Sequence, residues 1–504
     1  MAAPIARSSQ SGSGAGSPTD FASLDPRNGE TLGRYPVADA AQVDAVVARA
    51  RAAAPEWAEL GFAGRARVLG RWRALLVNRL DELAELISAE TGKPRDDARL
   101  ELVLTVDHLA WAAKNAKRVL GPRTVRSGLL MINQKATLSY PPYGVVGVIG
   151  PWNYPVFTPM GSIAYALAAG NTVVFKPSEY TPGVGAWLVN SFAEVAADPP
   201  ALQLVTGYGD TGAALCRARI DKLAFTGSGA TGRAVMATCA ENLTPVLIEC
   251  GGKDPLIVDA DADLDAAADA AAWGGLSNAG QTCVGVERVY VLDAVADRFL
   301  ELVRGKAAAL HAGAGPDADF GPMTMPSQVD VVAGQIREAL DAGAHPLVGG
   351  ADSVAAPFID PVVLTDVPEN CTAITEETFG PLLTINRVPD IEEAVRRANA
   401  THYGLGAAVF SRANGRAIAA ALRCGMVAVN GVISFAGIPA LPFGGVGESG
   451  FGRIHGDDGL REFARPHAVA TQRFTPPIAL TTFARTPAAM PRTVRLVKLL
   501  YGRG

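Results

Sequence analysis

Cys283 lies in the string SNAGQTCV, where Asn278, Gly280, Gln281 and Thr282 are small or polar, as suits an accessible thiol on a turn. As a thiolate it would attack a carbonyl carbon; a lone cysteine also serves as a small buried hydrophobe. Glu249, 34 residues earlier, ends the apolar run Val246–Ile248 and is followed by Cys250, Gly251 and Gly252. A carboxylate at the end of a buried strand is costly to ionise, and partial burial raises its pKa towards that of a general base able to activate water. The plain alternative is a salt-bridged surface carboxylate. Asn153 stands in PWNYP, directly after the apolar run GVVGVIG. An amide in such a rigid loop could donate to a developing oxyanion, or simply close a turn.

A second set of residues suits a nucleotide. FTGSGATG follows the strand-like DKLAF and opens a helix, so Gly227, Gly229 and Gly232 spell G-x-G-x-x-G. Backbone N–H groups at a helix start can hold a pyrophosphate, although no acidic residue ends the next strand in the usual manner. Lys176 and Glu179, the latter 48 residues before Gly227, follow another strand (FKPSEYTP). That carboxylate could accept hydrogen bonds from ribose hydroxyls, and the ammonium could reach the same sugar. An ordinary turn after a strand would use the same residue types.

These residues need a scaffold, and the chain is long enough for two or three domains at 504 residues, 49% of them hydrophobic. With 45 Lys and Arg against 50 Asp and Glu, the net charge of −5 gives no electrostatic footprint for nucleic acid. Six cysteines without C-x-x-C, and histidines without H-x-x-x-H, predict neither a disulfide scaffold nor a metal site. The expected setting is reducing and cytoplasmic. Residues 1–20 read as a mobile arm, since Ser8–Pro18 is rich in Ser and Gly. From about Ala40 to Val119 apolar residues recur three and four apart, with Gly92 as a helix stop. Beyond Tyr140, short β-rich runs alternate with helix-length segments in two sets split at Gly251–Gly252, as parallel α/β sheets require.

Seven strings, PWNYP, FKPSEYTP, FTGSGATG, LIECGGK, NAGQTC, EETFGP and PFGGVGESGFGR, occur in one order between about Asp25 and His467. In this the chain resembles the aldehyde dehydrogenase superfamily. The resemblance implies an α/β fold of two Rossmann-like domains and a small β oligomerisation flap. The parts would be a cofactor domain of residues 21–120 and 143–249, a catalytic domain of 250–446, a flap of 121–142 and 467–474, and a tail of 475–504. It implies Cys283 as nucleophile, Glu249 as general base and Asn153 as oxyanion donor with the Cys283 backbone N–H. Trp152, Lys176, Glu179, Gly227, Ser228, Glu377 and Phe379 would contact a nicotinamide dinucleotide. Cys250 departs from the family's usual Leu and is assigned no catalytic role.

The implied reaction is oxidation of an aldehyde to its acid through a cysteine thioester, in a homodimer or homotetramer. Glu179 should favour NAD over NADP, because a carboxylate repels a 2′-phosphate. Tyr154, Phe157 and Phe435 are expected at the substrate mouth, and YPVFTPMGSIAY offers no Arg or Lys to clamp a second carboxylate. An apolar aldehyde, aromatic or medium to long aliphatic, is therefore expected, with succinate semialdehyde oxidation and CoA acylation as alternatives. The tail has Arg485, Arg492, Arg495, Lys498 and Arg503 but no acid. After Pro491 it predicts a short basic amphipathic helix, docked on a subunit or in peripheral contact with an anionic membrane.

Overall fold

The computed structural model describes residues 19–315, 317–476 and 480–502. It forms two compact units: residues up to Val119 with Pro142–Ala464, and Leu120–Pro141 with Arg465–Gly504. The expected arm lies outside the described residues except at its end, where Asp20 already belongs to a strand. That strand, Asp20–Leu24, pairs antiparallel with Thr31–Pro36. This hairpin was not anticipated, although Asn28-Gly29, with Gly29 at φ +78°, is a plain turn signal.

Four helices follow: Ala40–Glu59, Gly61–Asn78, Leu80–Thr91 and Arg95–Leu120. Asp39 and Gln42 form a capping box at the first, and Gly92 ends the third in the left-handed conformation at φ 78°. Trp57 and Trp72 are fully buried, and each indole N–H has an acceptor, the Leu167 carbonyl and the Ser191 hydroxyl.

Two mainly parallel sheets form the core of the first unit. The first has six strands in the order Gly450–Phe451, Val246–Cys250, Lys222–Gly227, Val145–Ile149, Thr172–Lys176 and Leu202–Leu204. The order in which strands are added reverses between the parallel neighbours Val145–Ile149 and Lys222–Gly227, where ligands settle in open α/β sheets. The second has seven strands, with Asp254–Val258 between Val286–Leu292 and Gly406–Phe410. Leu256 and Val258 enter one hydrophobic cluster and Ile257 another, so this sheet is covered on both faces. Each sheet also has one antiparallel edge strand, Gly450–Phe451 and His345–Val348 respectively. Because Gly450–Phe451 returns from the C-terminal half to pair with Val246–Cys250, both sheets belong to one compact unit.

The second unit holds an antiparallel sheet of Arg123–Val125, Gln134–Ser139 and His467–Gln472. It also holds the tail helix Ala489–Tyr501. The helix starts two residues before Pro491, a position in the first turn where proline's missing N–H costs nothing.

Candidate active site

The loop bearing Cys283 is built against backbone preference. Asn278, Ala279 and Gly280 all have positive φ, at 52°, 55° and 68°. Two of them are not glycine, so surrounding bonds must hold the turn. Asn278 Nδ2 donates to the Gln281 carbonyl at 3.2 Å, and Gln281 Nε2 donates to the Asn278 carbonyl at 2.9 Å. Gln281 Oε1 accepts from Thr324 N at 2.8 Å. At Gly280 a Cβ would lie 2.1 Å from the Gly380 carbonyl, so no side chain fits.

Cys283 and Glu249 share one cavity of about 90 Å³, with Leu100, Leu104, Tyr154, Phe157, Trp273, Ile433 and Phe443 among its walls. Asp97 and Glu101 are also on it, and no Lys, Arg or His is. Glu249 is 3% exposed, and its Oε1 has no hydrogen-bond partner. Burial pushes its carboxyl up to about 8, against the pull of the Thr226 hydroxyl and Arg453. Burial, then the charges of Glu249, Glu377 and Asp254, raise the Cys283 thiol well above its ordinary value.

Asn153 is buried against the loop that bears Cys283. Its Nδ2 donates to the Gln281 carbonyl at 2.9 Å, leaving a second amide hydrogen, and its own carbonyl accepts from Lys93 Nζ at 2.6 Å. Lys93 also pairs with Glu101 at 3.1 Å and sits 4.1 Å over the Tyr154 ring. Glu101 Oε1 in turn accepts from the backbone N–H groups of Val156 and Phe157, at 2.7 and 2.9 Å. This buried pair fixes the PWNYP loop, and sequence reasoning missed it. Tyr154 Oη and Thr282 Oγ1, 3.0 Å apart, tie that loop to the one bearing Cys283.

A separate cleft of about 360 Å³ runs over the strand ends of the first sheet. Trp152, Lys176, Glu179, Gly227 and Ser228 all line it. Ser228 caps the helix Gly229–Ala240 by accepting from Thr231 N, which leaves that helix start at the cleft. Lys176 Nζ is 3.9 Å from Glu179, and burial lowers its pKa. Glu377 and Phe379 line neither cavity. Glu377 accepts from Gly252 N at 3.1 Å, and the Phe379 ring meets Trp152 edge-on with centroids 5.5 Å apart. A Cβ at Gly251 would fall 1.9 Å from the Glu377 carboxylate, so that glycine is what admits it.

One expected mouth residue is misplaced. Phe435 is 6% exposed and absent from the cavity wall; its ring packs near Phe443 and Gly406. Ile433, at φ 54°, redirects the loop, so Ile433 and Ala436 reach the cavity instead.

Residues 14–469 match the model of the aldehyde dehydrogenase family. The chain belongs to that family. Among curated aldehyde dehydrogenase relatives it is 38% identical to a 4,4'-diapolycopene aldehyde oxidase of Methylomonas sp, over 96% of this chain and 92% of that protein. It is 37% identical to a putative succinate-semialdehyde dehydrogenase [NADP(+)] of Mycolicibacterium smegmatis, over 94% and 93% of the two chains. The crystal structure of an NAD-dependent aldehyde dehydrogenase from Sinorhizobium meliloti superposes with a TM-score of 0.87 at 32% identity, covering 92% of this chain and 93% of that one. As an aldehyde dehydrogenase the chain has its two parallel sheets where the family's fold requires them. Two buried ion pairs were not marked as pairs by the sequence: Lys93–Glu101, and Lys253–Glu287 at 2.5 Å, although Lys253 closes the string LIECGGK. A lysine following Gly92 reads as a surface turn; Glu101 is eight residues on, but the Asn153 carbonyl it donates to is sixty residues away.

Proposed function

We propose that the chain oxidises apolar aldehydes, aromatic or medium to long aliphatic, to carboxylic acids, with NAD preferred to NADP. The observation that carries this reading is the cavity where Cys283 and Glu249 meet: largely apolar, without a cationic side chain, and bearing Asp97 and Glu101. A second carboxylate on the substrate would find no cationic clamp there, since Glu101 is already paired with Lys93 and the other acid is Asp97.

Cys283, as the thiolate, adds to the aldehyde carbon; the C–S bond forms and the carbonyl electrons move to oxygen. Asn153, through the amide hydrogen not committed to Gln281, and the Cys283 backbone N–H stabilise that oxyanion. A bound nicotinamide dinucleotide supplies the hydride acceptor. The residues present fit it: one cleft offers a helix start at Ser228, the Lys176 ammonium and the Glu179 carboxylate, with Trp152 and Gly227 on its wall. Glu377, bonded to Gly252 N, and Phe379, edge-on to Trp152, would hold its nicotinamide ribose and ring. Loss of hydride from the adduct leaves the acyl group on Cys283 as a thioester. Glu249 then removes a proton from water, whose oxygen attacks the acyl carbon; collapse breaks the C–S bond and frees the acid. A carboxyl raised to about 8, with an unpartnered oxygen on the cavity side of its strand, is suited to that proton. The presence of Glu249 also favours hydrolysis over transfer to CoA.

The relatives named as putative NADP(+)-dependent succinate-semialdehyde dehydrogenases define the competing reading. The test is kcat/KM for hexanal, benzaldehyde and succinate semialdehyde, each with NAD and NADP, with and without CoA. Hexanal or benzaldehyde with NAD should lead by about tenfold or more, the order of a poorly matched pocket. A lead for succinate semialdehyde overturns the substrate assignment, and equal values for the two cofactors overturn the role of Glu179.

A further inference from the structure

The tail helix Ala489–Tyr501 leaves most of its apolar residues exposed. Met490, Val494, Leu496 and Leu500 are 40–46% exposed and Leu499 and Tyr501 69%, while Ala489 alone is buried. At 100° per residue, Leu496, Leu500, Val497, Met490, Tyr501 and Val494 form one broad arc. Arg492 and Lys498 flank the two edges of that arc, Arg495 lies on the opposite side, and all three are exposed. The segment Thr475–Gly504 contains five basic residues and no acid, in a chain whose net charge is −5. Phe483, in the same segment, is wholly exposed.

We infer that this helix docks on an anionic lipid bilayer. Two observations select that occupant. Positive charge is concentrated on the tail of an otherwise acidic chain, so it complements an anionic surface while the remainder of the protein does not. Arg492 and Lys498 border the apolar arc, one at each edge, where long side chains can keep their heads among lipid phosphates while their stems lie on the acyl boundary. Thirteen residues span about 20 Å as a helix, too short to cross a bilayer core of about 30 Å, so the helix lies in the surface plane. In agreement, no helix among the described residues is long and apolar enough to cross a membrane. The inference does not depend on which aldehyde is oxidised.

The experiment is flotation of the full chain with vesicles of phosphatidylcholine alone or mixed with phosphatidylglycerol, at low and high salt. Two variants accompany it, the triple R492E/R495E/K498E and the double L496S/L500S, together with sedimentation mass and kcat/KM on hexanal. The wild type should float with the anionic vesicles at low salt only. Each variant should lose about tenfold or more of that binding, since each basic residue near the surface contributes measurably. Oligomeric mass and hexanal oxidation should not change. Failure of the wild type to float, or undiminished flotation of both variants, overturns the inference. A changed oligomeric mass in the variants also overturns it, because the face would then be covered by a second copy of the chain.

Discussion

Buried charge appears in two forms around Cys283. Lys93–Glu101 and Lys253–Glu287 are paired, and their remaining hydrogen-bonding capacity goes to loop backbone: Glu101 to Val156 and Phe157, Glu287 to Thr378 and Phe379. Glu249, Asp254 and Glu377 are buried too, yet none has a cation as a hydrogen-bonded partner, and burial pushes all three up to about 8. The first form fixes where loops lie. The second leaves carboxyls whose proton is held loosely near neutral pH. A buried carboxylate is costly unless paired, so the unpaired set is where chemistry is to be sought, and the paired set is what holds the site in shape.

That division can be broken by mutation. The largest effect should come from Cys283→Ala, which should abolish aldehyde oxidation while NAD binding, followed by protein fluorescence, persists; residual turnover would remove Cys283 from the reaction. Next comes Lys93→Met. It strands Glu101 in a buried site and releases the carbonyl of Asn153, so stability should fall by about 3–5 kcal/mol. At temperatures where the variant stays folded, kcat should fall more than KM rises. Unchanged stability in urea unfolding would mean the pair is not structural.

Asp254→Asn should act in the opposite direction and more weakly. Its folded carboxyl, near 8, lies above the ordinary value of 3.8, so the unfolded state ionises first as pH rises. Wild-type stability from this group is therefore full below about 4 and is lost as pH approaches 8. The variant should gain on the wild type between pH 5 and pH 8, on the order of 1 kcal/mol per pH unit at most. A constant difference in unfolding free energy across that range would contradict the assignment.

The proposed base and nucleophile could be picked out as candidates because strand ends and glycine-flanked turns leave local marks: Glu249 closes an apolar run, and Cys283 follows small and polar neighbours. The positions of Lys93 and Lys253 were not legible. Lys93 meets Asn153 sixty residues away, and Lys253 meets Thr378 across 125 residues, so only the folded topology creates the contact. Phe435 shows the limit within a single loop: the string VISFAGIP names the apolar residues, but the left-handed Ile433 decides which of them faces the cavity. The early hairpin had a readable Asn-Gly turn, yet its strands are five and six residues long and carry little pattern.

The central claim, that Cys283 holds the acyl group until Glu249 activates water, is tested most directly by Glu249→Gln. Mixed with hexanal and excess NAD, it should release a burst of NADH equal to its sites and then stall. Mass spectrometry of the Cys283 peptide should find the hexanoyl thioester, and the wild-type rise of rate with pH near 8 should be lost. A steady-state rate and pH profile like those of the wild type, with no acyl group on Cys283, would contradict it.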